Sequence, residues 1–127
     1  MMDMFIHGEW TPAASGLRFD VTEPATGAVI DTVPMGGPTD ADAAIASAAQ
    51  AFALWRKVPM AERVRLQKSC AQAMRDHAAQ IGAVLHRELG RPLPGCVQEI
   101  ARSADLLDIY AEEGLRLTAT IDRKSVV

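Results

Sequence analysis

The sequence predicts an α/β chain in which short β-strands, including a hairpin, come first and three long helices follow. Three observations carry this expectation. Over the first 35 residues, aromatic and β-branched side chains recur between turn signals, and Phe19 and Val21 alternate with Arg18, Asp20 and Thr22. Gly16, Pro24 and Gly27 punctuate those runs at 13–16 and 23–27. From Thr39 onward, apolar residues return at helical spacing instead.

The elements follow in order. Strands are expected at 4–10, 17–22 and 28–33. Pro24 bars one continuous strand through 23–27, so the second and third form a hairpin or a bent pair. Thr39 reads as the cap of the first helix, with Asp42 three residues on in the box position. Ile45, Ala48, Ala49, Phe52 and Trp55 make its inward face. Val58-Pro59 stops that helix, and Pro59 suits the first turn of the next. The second helical stretch runs from about Met60 to Leu89, with Leu66, Cys70, Ala73, Met74, His77, Ile81, Val84 and Leu85 as its stripe. A helix of that length is unusual in a globular chain, which predicts a break at Asp76-His77. Gly90 caps it and Pro92 forbids continuation. The third helix spans about Pro94 to Glu113, with Val97, Ile100, Ala101, Ala104, Leu107 and Ala111 inward and Gly114 ending it. Residues 115–127 are left as a tail, β-branched from Thr118. The helices could pair into a small bundle. Their many alanines favour close packing against a larger neighbouring layer.

Composition bounds the function classes. The chain has 127 residues, 13 Lys+Arg against 16 Asp+Glu, and a net charge of −3. That length suits one domain. Weak acidity argues against nucleic acid, which needs a basic face. No apolar run is long enough to span a membrane. The N-terminus carries Asp3 and His7-Gly8-Glu9 where a secretion signal would need an unbroken apolar stretch, so a cytoplasmic location is expected. Cys70 and Cys96 then read as reduced thiols.

Local chemistry identifies no active site. Gly36-Gly37 before a helix is a candidate anion site, but a flexible linker is the simpler reading. No G-x-G-x-x-G and no P-loop is present. Cys70, on an apolar stripe, reads as a small packing residue. Cys96, near a helix start, sits where a thiolate would be favoured, yet no base is identified beside it. His7, His77 and His86 show no metal-ligand spacing and read as structure or surface. Glu112-Glu113, Asp105 and Asp108 read as solvated charge, and Glu99 as a surface carboxylate close to an apolar face.

Several segments together resemble the N-terminal portion of the aldehyde dehydrogenase superfamily. Phe5-Ile6-His7-Gly8-Glu9-Trp10 resembles the family's opening strand. Phe19 to Gly27, ending Glu23-Pro24-Ala25-Thr26-Gly27, resembles its turn, with Glu23 where Asn is usual, and Val29 to Pro34 resembles the strand after it. Ala44 to Phe52 followed by Trp55-Arg56 resembles a helix ending in A-F-x-x-W. Ala61-Glu62-Arg63 and Glu88-Leu89-Gly90-Arg91-Pro92-Leu93 resemble further family stretches, with Arg91 for the usual Lys. Tyr110-Ala111-Glu112-Glu113 resembles the close of the third helix. That ending and Val33-Pro34-Met35-Gly36 look most like succinate-semialdehyde dehydrogenases.

The resemblance implies that residues 1–127 are the N-terminal part of an aldehyde dehydrogenase domain: strands and turns over 1–35, helices over 39–114, then the tail. It implies a larger homo-oligomeric enzyme that uses NAD or NADP to oxidise an aldehyde to a carboxylic acid through a cysteine thiohemiacetal. The nucleophilic cysteine, general-base glutamate, oxyanion-hole asparagine and Gly-rich cofactor turn all belong downstream of Val127 in this family. Neither Cys70 nor Cys96 matches the nucleophile. No catalytic or cofactor-binding residue is therefore assigned here, no cofactor is expected on this chain, and its partner is the remainder of the enzyme or a homologous subunit. One family feature reaches this segment, a structural monovalent-cation site to which Val21, through its carbonyl, and Glu99 correspond. Its third ligand lies beyond Val127, so no stable ion is expected here. The alternative is a non-catalytic helical interaction module derived from such an enzyme.

Overall fold

The computed structural model describes residues 2–116, which form four strands and four helices. The expected first strand is two. Strands β1 (Met4–Ile6) and β2 (Glu9–Thr11) pair antiparallel, with Ile6 opposite Glu9. His7 and Gly8 between them take φ values of 59° and 82°, the left-handed pair that a tight hairpin turn demands. Phe5 and Trp10 face each other across the ladder with ring centroids 5.1 Å apart.

Strands β3 (Arg18–Thr22) and β4 (Val29–Pro34) form a second antiparallel pair, the hairpin expected from Pro24. Its register slips between Val21 and Thr22, and the 23–28 turn closes by Glu23 N–H donating to the Ala28 carbonyl at 2.9 Å. Glu23 accepts from Thr26 Oγ1 at 2.8 Å, giving that non-consensus carboxylate a local role. Arg18 joins the sheets. It donates to Asp3 at 2.7 Å, to the Met2 carbonyl at 2.6 Å, and to the Thr32 carbonyl at 2.9 Å.

Helix α1 covers Pro38–Trp55, and its cap is Gly37 rather than Thr39. Pro38 holds the first helical position, which leaves Asp40 to fold back on the Gly37 N–H at 2.8 Å. Asp42 takes no part. The inward face expected for α1 is not covered: Ile45, Ala48, Ala49, Phe52 and Trp55 are all exposed, and α1 buries no residue.

The break expected at Asp76-His77 is present. Helices α2 (Met60–Asp76) and α3 (Ala78–Leu89) are separated by His77 alone, at φ −109° and ψ 11°. Gly90 then adopts φ 66° and closes α3 with its N–H on the His86 carbonyl at 2.9 Å. Helix α4 spans Leu93–Arg116 and runs straight through Gly114. Gly114 does not end it because it does not take the left-handed φ that Gly90 adopts; its bare backbone faces α2, where a Cβ would stand in ordinary contact 3.4 Å from Met60 Sδ. Residues 115 and 116 thus belong to α4, and the rest of the expected tail lies outside the described residues.

The core lies where α2 and α3 run end to end, antiparallel to α4. Cys96, Ile100, Ala104 and Ala111 are buried on α4, and Val97, Ala101 and Leu107 are half-buried, as their spacing predicts. The α2 face that meets them carries Val64, Gln67, Ala71, Met74 and Arg75; of the expected stripe, Met74 and, on α3, Leu85 are half-buried. Leu66, Cys70, Ala73, His77, Ile81 and Val84 lie on the outer side and are exposed. Gly82 sets the α3–α4 spacing, because a Cβ there would come within 2.7 Å of Val97 Cγ2 and 2.9 Å of its backbone. Polar ties edge the seam: Gln67 Nε2 donates to the Leu107 carbonyl at 2.9 Å, and Lys68 pairs with Glu112 at 3.0 Å.

Candidate functional site

The start of α1 is built as an anion site and is already filled from within. The Asp40 carboxylate accepts the Gly37 N–H at 2.8 Å and the Ala14 N–H at 2.9 Å. These two bonds, Gly37 first, hold its carboxyl below the usual aspartate range. A phosphate would meet that fixed negative charge, so Gly36-Gly37 is a structural turn.

The thiols separate by environment. Cys96 is fully buried at the first turn of α4, with Sγ 3.8 Å from the Arg91 carbonyl. The same carbonyl receives His86 Nδ1 at 2.5 Å, so two side chains fasten the α3–α4 turn. Cys70, expected in the core, is exposed because the outer stripe of α2 has no cover. His7 Nδ1 lies 3.3 Å from Ser47 Oγ, and His77 Nδ1 lies 2.9 Å from the Ala73 carbonyl. Among the described residues, no group of three or more His, Cys, Asp or Glu could hold a metal.

The carboxylates read as solvated charge are paired. Arg75 reaches Asp105 at 2.8 Å and Asp108 at 2.7 Å, and these partners, Asp105 first, raise the guanidinium's pKa. Glu113 takes Arg116 at 2.6 Å. Glu99 takes Arg91 Nη1 at 2.5 Å. Val21, opposite Asp31 in the β3–β4 ladder, lines a cavity of about 150 Å³ with Ile30, Val33, Val84, Arg87 and Glu88. Glu99 does not line that cavity.

Arg63 emerges with a role its sequence motif did not reveal. Its Nε donates to the Val58 carbonyl and its Nη2 to the Trp55 carbonyl, both at 2.9 Å, while its guanidinium carbon lies 5.4 Å from the Trp55 ring centroid. It ties the last residue of α1 and the turn after it to α2; the Trp55 carbonyl also accepts the Val58 N–H at 3.0 Å. A basic residue just beyond a helix stop was the available signal.

What the described residues build is a scaffold with uncovered apolar helix faces. Comparison with known proteins accounts for that form. The aldehyde dehydrogenase family model matches residues 10–125. The chain belongs to the aldehyde dehydrogenase family.

Among relatives of this aldehyde dehydrogenase chain, the NADP-dependent succinate-semialdehyde dehydrogenase GabD of Escherichia coli is 34% identical over 88% of this chain and 23% of its own. Aldehyde dehydrogenase tropH of Talaromyces stipitatus is 34% identical over 86% of this chain and 21% of its own. Of solved structures, a succinate-semialdehyde dehydrogenase from Burkholderia pseudomallei superposes with a TM-score of 0.87 at 32% identity, covering 95% of this chain and 26% of that one. An NADP-dependent glyceraldehyde-3-phosphate dehydrogenase from Bacillus halodurans, complexed with NADP, gives 0.90 at 28% identity, covering 92% and 25%. The chain spans about a quarter of the length of these relatives and corresponds to their N-terminal part.

Proposed function

We propose that this chain is the N-terminal scaffold of an NAD- or NADP-dependent aldehyde dehydrogenase that oxidises an aldehyde to its carboxylic acid, and that it is inactive alone. One observation carries the reading. Helix α1, apolar from Ala43 to Trp55 apart from Ser47 and Gln50, buries no residue, inside a fold that otherwise matches a quarter of much longer dehydrogenases. A helix apolar on nearly every side belongs in the interior of a larger body. The chain's task is to present that surface to the catalytic and cofactor-binding parts.

The nicotinamide cofactor, bound elsewhere in the enzyme, supplies the hydride acceptor. Among the described residues, the Gly36-Gly37 helix start is closed by Asp40, and Cys96 is buried against Arg91. Val21 and Glu99 are two positions of a monovalent-cation site completed by other parts of the enzyme. In this chain the Arg91 guanidinium already supplies the positive charge at Glu99. The succinate-semialdehyde dehydrogenases and the glutarate-semialdehyde dehydrogenase among the relatives make a semialdehyde the substrate class to test first. A cytoplasmic, homo-oligomeric enzyme completes the proposal.

The test is a graft. This chain replaces the matching N-terminal quarter of GabD, and the purified hybrid is assayed with succinic semialdehyde and NADP. Reduced cofactor should accumulate, and the chain alone should give none. A hybrid that folds, as judged by circular dichroism, but cannot turn over would favour the interaction-module reading. Turnover by the chain alone would overturn the inactivity.

A further inference from the structure

We propose that this chain, without a longer partner, associates with a second copy of itself as a two-fold antiparallel dimer through α1. The surface is the stripe Ile45, Ala48, Phe52 and Trp55, spaced three, four and three residues apart and so on one side of the helix. It is open: Ile45 is 66% exposed, Phe52 61% and Trp55 44%, the last despite the Arg63 guanidinium over its ring. The β1–β2 hairpin touches α1 elsewhere, at Ser47, where His7 sits.

Size and charge choose the occupant. In an antiparallel pair centred on Gln50, Ile45 of one copy lies against Trp55 of the other, and Ala48 against Phe52. Each large side chain of the Ala48–Phe52 pair then meets a small one, which lets the backbones approach. Asp42 and Arg56 flank the stripe on one side, near opposite ends. Antiparallel packing sets like flanks together, so Asp42 of each copy meets Arg56 of the other twice over, as a self-complementary two-fold interface requires. A parallel pair would hold the opposite charges at different ends of the interface, out of each other's reach. Asp42 makes no bond in the cap, which Asp40 supplies, and Arg56 lies over the Phe52 ring with its guanidinium carbon 6.0 Å from the centroid. One helix face per copy is a small interface, so the dimer should be concentration-dependent.

Sedimentation equilibrium of the full chain tests this. The mass should rise from one 13.6 kDa chain towards two as concentration increases. Asp42→Lys and Arg56→Glu should each weaken association several-fold with unchanged circular dichroism, since each sets like charges together. Mixing the two variants should restore wild-type association, because in the mixed pair the two introduced side chains face each other with opposite charge, and so do the remaining Arg56 and Asp42. A monomer at every concentration, an open-ended aggregate, or two variants that do not rescue each other would overturn the proposal. None of these outcomes bears on the aldehyde dehydrogenase reading, which stands or falls with the graft.

Discussion

Two single residues hold positions that no neighbour could replace. Gly82 admits Val97 to a distance that excludes any Cβ. Gly82→Ala should therefore cost about 1–3 kcal/mol through overpacking, despite the better helix propensity of alanine. Thermal unfolding followed at the helical band measures it, and an unchanged or raised midpoint would show that α3 and α4 can separate freely. Asp40 closes the α1 cap and the Ala14 turn with one carboxylate. Its pKa is lower folded than unfolded, because the Gly37 and Ala14 N–H groups favour the charged form. The folded chain thus binds fewer protons there at acid pH. Its stabilisation is full above the ordinary aspartate pKa of about 4 and is lost as pH falls through the lowered folded value. Asp40→Asn should flatten that part of the stability–pH curve, and a curve of unchanged slope would assign the acid sensitivity to other groups.

The helices show what periodicity can and cannot say. The break at His77, the turn at Gly90 and the α4 face from Val97 to Ala111 were all legible, because each rests on residues with one dominant preference. The facing side of α2 was not. Leu66, Cys70 and Ala73 form a more apolar stripe than Val64, Gln67 and Ala71, yet α4 covers the latter, where Gln67 and Arg75 find partners. A helix with two apolar sides does not announce which neighbour takes which. The cap of α1 was misplaced by two residues for a similar reason: Thr39 and Asp42 fit a common pattern, but Pro38 starts the first turn two residues earlier. At the end of α1, Arg63→Ala should release the Trp55 and Val58 carbonyls and cost about 1–2 kcal/mol. Amide exchange over 52–58 should quicken more than exchange in α4, and uniform acceleration would mean that Arg63 stabilises the whole chain instead.

On the scale of the molecule, family membership was legible from ordered motifs, while the proposed cation-site pair rests on the resemblance alone. Nothing local marks Val21 or Glu99 as ligands, and Glu99 has a guanidinium partner. Titrating the chain with sodium or potassium chloride should give no saturable heat beyond a choline chloride control. Saturable binding that disappears in Glu99→Gln would overturn this. The seam between α2 and α4 should also weaken with added salt, since Lys68–Glu112 and Arg75–Asp105 are solvent-facing pairs.

The antiparallel run of α2 and α3 against α4 also sets an order in time. Gln67 meets the Leu107 carbonyl 40 residues later, and Lys68 meets Glu112 44 residues later. During synthesis at about 5–20 residues per second, α2 is made several seconds before its partner exists. The two hairpins β1–β2 and β3–β4, whose strands are neighbours in sequence, can close as they emerge. The helices must wait until α4 leaves the ribosome, and over that interval α1 and α2 expose their apolar stripes to whatever binds nascent chains.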